Sequence, residues 1–169
     1  MNIIFLLLLK NDSTIFERML INSINKLKRM RDKNYNFELE FTVRDYELDT
    51  QGLVNNAVYQ NYLEHARHEF LKHIGLNFNE LHEKGTDAVV HKTELEYKRA
   101  LMGDDQFVVR VRVEQQGNVR FIFYQDIYKL PEDELALKGK VTAVFMQNGR
   151  PIRPPQEVKD ALSDFKTAD

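Results

Sequence analysis

The chain has 169 residues, enough for one domain of ordinary size with a core that needs no disulfide or structural metal. It has no cysteine, which excludes disulfides, thiolate nucleophiles and zinc–sulfur sites and fits a reducing, cytoplasmic setting. Its 24 basic and 26 acidic residues leave a formal net charge of −2. Bulk charge therefore attracts neither nucleic acid nor an anionic membrane, and an anionic ligand has to be held by a local basic cluster.

Residues 1–34 stand apart from the rest. Ile3 to Leu9 is an unbroken apolar run, too short to span a bilayer. It has neither a basic leader before it nor a small-residue cleavage site after it. Phe16 to Lys33 is basic and compatible with helix. Two readings stand side by side: an extension packed on the domain, or a translation start placed upstream of a native one at Met30.

From Phe37 the pattern is regular. Phe37, Leu39, Phe41 and Val43 alternate with polar residues, the period of a half-buried strand. A polar stretch from Asp45 to Asn56 follows and contains Gly52. Then Val58, Tyr62, Ala66 and Phe70 recur every fourth residue, with Tyr59, Leu63 and Ile74 widening the stripe. Asn56 occupies an N-cap position and Gly75 a C-cap position, which predicts a helix from Ala57 to Ile74, about five turns long. A shorter helix is expected over Asn79 to Lys84, ending at Gly85.

The remainder reads as strand. Val89 to Lys98 forms one, and Phe107, Val109, Val111 and Val113 mark another. Gln116-Gly117-Asn118 predicts a hairpin turn into a partner strand from Val119 to Tyr128, rich in β-branched and aromatic residues. Pro131-Glu132-Asp133 ends it, and Leu135 to Met146 is the last strand, closed by Asn148-Gly149. The tail carries Pro151, Pro154 and Pro155 and a short helix near Val158 to Phe165. The expected organisation is an extension over 1–34, one domain over 35–150 and a tail over 151–169. One strand, a long helix and then a run of antiparallel strands make an α+β fold, in which a curved sheet is the natural partner for the wide apolar stripe of the helix.

Asp49-Thr50-Gln51-Gly52-Leu53-Val54-Asn55-Asn56 runs directly into a helix that carries Glu64 and Arg67. Further on, Tyr97-Lys98-Arg99-Ala100-Leu101-Met102-Gly103-Asp104 places an aromatic residue ahead of a Gly-Asp pair. Together these resemble the signature of the 4-hydroxybenzoyl-CoA thioesterase family over roughly residues 37 to 150. The resemblance implies a hot-dog fold, in which a curved antiparallel sheet wraps a long central helix. It also implies a homodimer or homotetramer with sites between subunits, and hydrolysis of an acyl-CoA or acyl-carrier-protein thioester without a cofactor. In that family the residue matching Asp49 attacks the carbonyl or activates water, and the residue matching Asn56 offers its backbone N–H to the oxyanion.

The chemistry stands without the family. A thioester carbonyl needs a base or nucleophile on one side and oxyanion stabilisation on the other. Asp49 lies on a loop that Gly52 allows to turn tightly, and the free N–H groups near Asn56 and Ala57 add the positive end of the helix dipole. An Asp that only satisfies turn amides is the plainer account of Asp49. Glu64 is the rival acid. It lies eight residues beyond Asn56, about 12 Å along the axis, and reaches a carbonyl there only from a partner subunit. Its plainer role is pairing with Arg67 or His68 on the helix face.

Asn55 is a candidate polar contact or a simple turn residue. Lys98, Arg99 and Arg120 are candidates for the CoA nucleotide, with Arg150 and Arg153 further along. Tyr59, Tyr62, Leu63 and Phe70 either line an acyl pocket or form plain core. His65, His68 and Glu64 or Glu69 share helix spacing, but no further ligands gather elsewhere, so no metal is expected. Ser13, Ser23 and Ser163 occupy no nucleophile elbow. Two other functions on the same fold are a non-catalytic acyl-CoA or acyl-carrier sensor and a dehydratase or hydratase. The second needs a histidine paired with an acid, and no histidine lies between Asp49 and Asn56.

Overall fold

A computed structural model describes residues 35–164, together with Leu20 and Ile24. The expectation for residues 1–34 lies outside the described residues, and the fold is carried by the unit that begins at Tyr35. Strand β1 (Phe37–Thr42) leads through a 3-10 turn (Asp45–Glu47) into helix α1 (Asn56–His73) and the short helix α2 (Phe78–Glu83). Strands β2 (Asp87–Tyr97), β3 (Gln106–Gln116), β4 (Arg120–Lys129) and β5 (Glu134–Gln147) follow. Strand β6 (Arg150–Ile152) and helix α3 (Gln156–Asp164) complete the described chain.

The sheet is antiparallel in the order β1-β3-β4-β5-β2, with β6 added to β5. The period-two pattern sets the register. Phe41 pairs with Phe107, their rings stack at 5.1 Å, and both face α1. On α1 the buried residues are Tyr59, Tyr62, Leu63, Ala66, Phe70 and Leu71, the predicted stripe with Leu71 added and Val58 and Ile74 half-buried at its margin. The Tyr62 ring lies 4.8 Å from Phe107 and 5.5 Å from Phe41, and Phe70 lies 5.8 Å from Phe37. Burying side chains of this size contributes about 1.5–3 kcal/mol each. Tertiary packing of this face, rather than helix propensity alone, holds α1 on the sheet.

One expectation needs correction. Helix α1 starts one residue early: Asn55, not Asn56, is its N-cap, with the Asn55 side chain accepting from the Ala57 N–H at 2.9 Å. Strand β2 does not bury a face. Leu95 alone on it is partly buried and the rest is exposed, because among the described residues β2 is a sheet edge paired with β5 alone. The segment after Asn148-Gly149 joins the sheet and the core. Pro151 and Ile152 pair with Met146 and Phe145, and α3 buries Val158 and Leu162 in the common core.

Candidate functional site

The Asp49 loop is a small closed frame. Its ends meet in a bridge between Leu48 and Val54, and the Asp49 N–H donates to the Leu53 carbonyl at 2.7 Å. The Gly52 N–H donates to the Asp49 carbonyl at 3.0 Å, and Gly52 has φ +75°, a left-handed conformation that favours glycine. The Asp49 side chain does what an aspartate in a turn does: Oδ1 accepts from the N–H of Gln51 at 2.8 Å and of Leu53 at 3.2 Å. Oδ2 takes no hydrogen bond among the described residues, and the side chain is exposed. One oxygen therefore anchors the carboxylate in the turn, and that anchoring leaves the other oxygen facing outward without excluding a second role.

The first amides of α1 are nearly all engaged. The Asn55 N–H donates to the Glu47 carbonyl at 2.9 Å, the Ala57 N–H to Asn55 Oδ1, and the Val58 N–H to the Asn55 carbonyl at 2.9 Å. The Asn56 N–H meets no acceptor among the described residues. Ala57, expected to share the donor role, has its N–H occupied by the cap. Asn56 alone thus keeps an unengaged N–H at the positive end of the helix dipole.

Asp49, Asn55, Asn56 and Tyr59 line one open cleft of about 360 Å³, with Tyr97, Lys98 and Arg99 on its far wall. The wall is fastened to the helix. The Tyr97 hydroxyl donates to the Asn56 carbonyl at 3.2 Å, and the Tyr59 hydroxyl accepts from the Leu101 N–H at 3.0 Å. Burial raises the Tyr59 pKa, keeping it neutral at physiological pH. Lys98 pairs with Glu96, and Arg99 Nε lies 3.3 Å from Glu134. Both basic groups are at the cleft mouth on exposed side chains.

Arg120 is not brought there within one chain. It opposes Val144, whereas Tyr97 opposes Leu137, so some seven residues of β5, about 23 Å at strand rise, separate the two positions. Glu64 is exposed and lies on a second, smaller cavity of about 130 Å³. That cavity is otherwise lined chiefly by apolar residues of α1, the sheet and α3, together with Arg67 and His68. Arg67 there donates to the buried Gln125 at 2.8 Å, and its burial lowers its pKa. Tyr62, Leu63 and Phe70 are core, whereas Tyr59 alone of those four aromatic or aliphatic candidates reaches the cleft. The His65 ring packs on Phe41 at 5.8 Å and Glu69 pairs with Lys72 at 2.7 Å, so the helix-face acids and histidines are dispersed. Among the described residues no group of three or more His, Asp or Glu is placed to hold a metal.

Sequence reasoning gave Glu47 no role. It is 7 % exposed, and its Oε2 accepts from the Tyr62 hydroxyl at 2.6 Å and the Arg44 N–H at 2.7 Å. In the sequence it is one of several acids in a polar stretch. The only signal was its spacing, three residues after Arg44, which puts its carboxyl over the start of the 3-10 turn.

A curved antiparallel sheet wrapped round a central helix, with an acid-bearing loop at the start of that helix, is the α+β hot-dog architecture. The family model of the thioesterase-like superfamily matches residues 43–162, and the chain belongs to that superfamily. It is 42% identical over 130 residues to the chloroplastic acyl-acyl carrier protein thioesterase ATL2 of Arabidopsis thaliana, covering 76% of this chain and 69% of that protein. It is 32% identical over 132 residues to the acyl-CoA thioesterase YbgC of Haemophilus influenzae, covering 75% and 95%. Among solved structures it superposes on a thioesterase from Thermus thermophilus complexed with coenzyme A and Zn. There the TM-score is 0.69 at 26% identity, over 81% of this chain and 98% of that one. Among the described residues no helix is long and apolar enough to cross a membrane.

Proposed function

We propose that this protein hydrolyses acyl-CoA or acyl-carrier-protein thioesters to the free acid and the thiol, with Asp49 as base or nucleophile and the Asn56 N–H as oxyanion donor. The observation that carries this reading is the pairing, in one cleft, of a carboxylate oxygen and a helix-start N–H that meet no partner among the described residues. In the water route, Asp49 Oδ2 takes a proton from water and the hydroxide adds to the thioester carbonyl carbon. The oxyanion forms at the Asn56 N–H; its collapse expels the thiolate, which takes up the proton. In the direct route Oδ2 itself adds to that carbon, the thiolate leaves, and water hydrolyses the resulting anhydride. Lys98 and Arg99 at the mouth are suited to the phosphates of a CoA or phosphopantetheine arm. Relatives named for acyl-carrier-protein and for acyl-CoA substrates support both thioester classes.

The test is a panel of short, long and aromatic acyl-CoAs and acyl-carrier proteins, followed by thiol release. Turnover on any member supports the reading. Saturable binding without thiol release across the panel would instead support a non-catalytic acyl-binding protein.

The site belongs, in this reading, to a homodimer. Among the described residues strand β2 has an unpaired edge, and Val89 and Val90 are 45% and 47% exposed on its two faces. An exposed apolar edge is a template for another strand, and a second copy satisfies it symmetrically. Pairing there also covers Val90 and Ala88, which line the cavity beside Glu64.

A further inference from the structure

We propose that the buried Glu47–Tyr62 pair is a positioning device for the reaction, holding the Asp49 loop at a fixed distance from the start of α1. The inference rests on the thioesterase reading of the Asp49 cleft and adds residues that do not touch the substrate. Glu47 binds the helix at two levels. Its carbonyl accepts from the N–H of Asn55, the helix cap, at 2.9 Å, and its Oε2 accepts from the hydroxyl of Tyr62, two turns into α1, at 2.6 Å. The same Oε2 accepts from the Arg44 N–H at 2.7 Å, which ties in the start of the 3-10 turn. Asp49 follows Glu47 by two residues, and the loop it carries closes on itself through Leu48, Leu53 and Val54. Glu47 thus ties the Asp49 end of the loop to the start of α1, while its other end is held by the Val54 N–H donating to the Leu101 carbonyl at 2.9 Å and by the bridge between Leu53 and Met102.

The Tyr62 end of the clamp is itself buried and closely packed. Its ring is 4% exposed and packed among Phe41, Phe107 and Tyr59 at 5.5, 4.8 and 6.2 Å. Burial, then the bond to Glu47, pushes the Tyr62 pKa far up, so its proton stays in place as the donor. Stability alone does not call for this arrangement. A buried carboxylate is costly to desolvate, and an apolar pair of similar volume holds two elements together as well or better. What a polar pair adds is direction: one donor and one acceptor meet in one geometry, whereas apolar contacts tolerate sliding. Directional fixing matters where a misplacement of about 1 Å at the reacting groups costs on the order of 10²-fold in rate.

The experiment compares Tyr62→Phe, Glu47→Ala and Glu47→Gln with the full-length wild type, each checked for folding by circular dichroism and assayed at saturating and limiting acyl-CoA. Because one oxygen takes both hydrogen bonds, a glutamine presenting its carbonyl there restores the clamp. Tyr62→Phe and Glu47→Ala are expected to lower kcat by about 10- to 100-fold with KM within about twofold, and Glu47→Gln to recover most of the loss. A purely structural pair would lower the melting temperature and leave kcat of the folded enzyme unchanged, which overturns the proposal. Equal losses in Glu47→Gln and Glu47→Ala also overturn it, since charge rather than geometry would then be acting. If the wild type releases no thiol from any thioester, the thioesterase reading has failed. The clamp is then judged by amide hydrogen exchange. Faster exchange at Asp49, Leu53 and Asn55 in Tyr62→Phe supports it, and unchanged exchange overturns it.

Discussion

The Leu63 Cδ1 methyl stands 3.0 Å from the point a Cβ on Gly139 would occupy, and the Gln125 carbonyl stands 2.6 Å from the same point. Gly139 lies on β5 opposite both Leu95 and Gln125, where α1 comes down onto the sheet. The absence of a side chain there lets Leu63 reach full burial, and Gln125 uses the same close approach to donate to the Leu63 carbonyl at 2.7 Å. The depth at which α1 sits, and so the height of its N-terminus above the cleft, is set partly by this glycine.

Gly139→Ala should therefore destabilise the fold out of proportion to one methyl group. The leucine methyl can shift, but the backbone carbonyl cannot, so the strain resembles overpacking, about 1–3 kcal/mol. Urea unfolding should show a lower midpoint with an unchanged m-value. A midpoint equal to wild type would mean that the helix is not seated as closely as described.

Asp49→Asn should remove thioester hydrolysis and leave the fold intact. The asparagine Oδ1 can still accept from the N–H groups of Gln51 and Leu53, so the turn is preserved. What disappears is the basic oxygen, worth at least roughly 10²-fold for a positioned base. Near-native turnover by a folded Asp49→Asn protein would assign the chemistry elsewhere.

Strand β2 gives the third expectation. Light scattering of the wild type should give twice the 20.0 kDa chain mass or a higher multiple. Val89→Lys combined with Val90→Lys should shift the species toward a single chain, because charges on the exposed edge oppose strand pairing. A wild type that scatters as one chain at micromolar concentration would remove the two-subunit site.

Much of this was legible in the sequence, and the exceptions have physical causes. Period two gave β1 and β3, β-branched and aromatic content marked β4, the turn signals at Pro131-Glu132-Asp133 and Asn148-Gly149 bounded β5, and the four-residue stripe gave α1, which buries one face. Strand β2 buries none, so its exposure could not be read from its alternation. The helix cap was displaced by one residue because Asn55 and Asn56 are equally good caps in isolation, and only the Glu47 carbonyl waiting for the Asn55 N–H selects the first. Asp49 and Asn56 stood out because local motif chemistry reports them. Glu47, Tyr97 and Gln125 act through partners that lie 15, 41 and 62 residues away, and no local pattern carries that information.

Glu64 supplies the test between the two candidate acids. It lies eight residues after Asn56, about 12 Å along the helix axis, and lines the cavity beside Arg67 rather than the Asp49 cleft. Within one chain it does not share a carbonyl with Asn56, and it reaches one only from a partner subunit. If Asp49 carries the chemistry, Glu64→Gln lowers kcat modestly, through a changed field at Arg67, while Asp49→Asn lowers it drastically. If an acid donated across the interface is the base, the order inverts. Drastic and equal losses would mean that the two carboxylates act as one unit, and single substitutions would no longer partition the effect. The expected result is the first. A Glu64→Gln protein that is folded and dimeric, yet as inactive as Asp49→Asn, would contradict it, and pairing each single variant with the double would then measure how strongly the two acids are coupled.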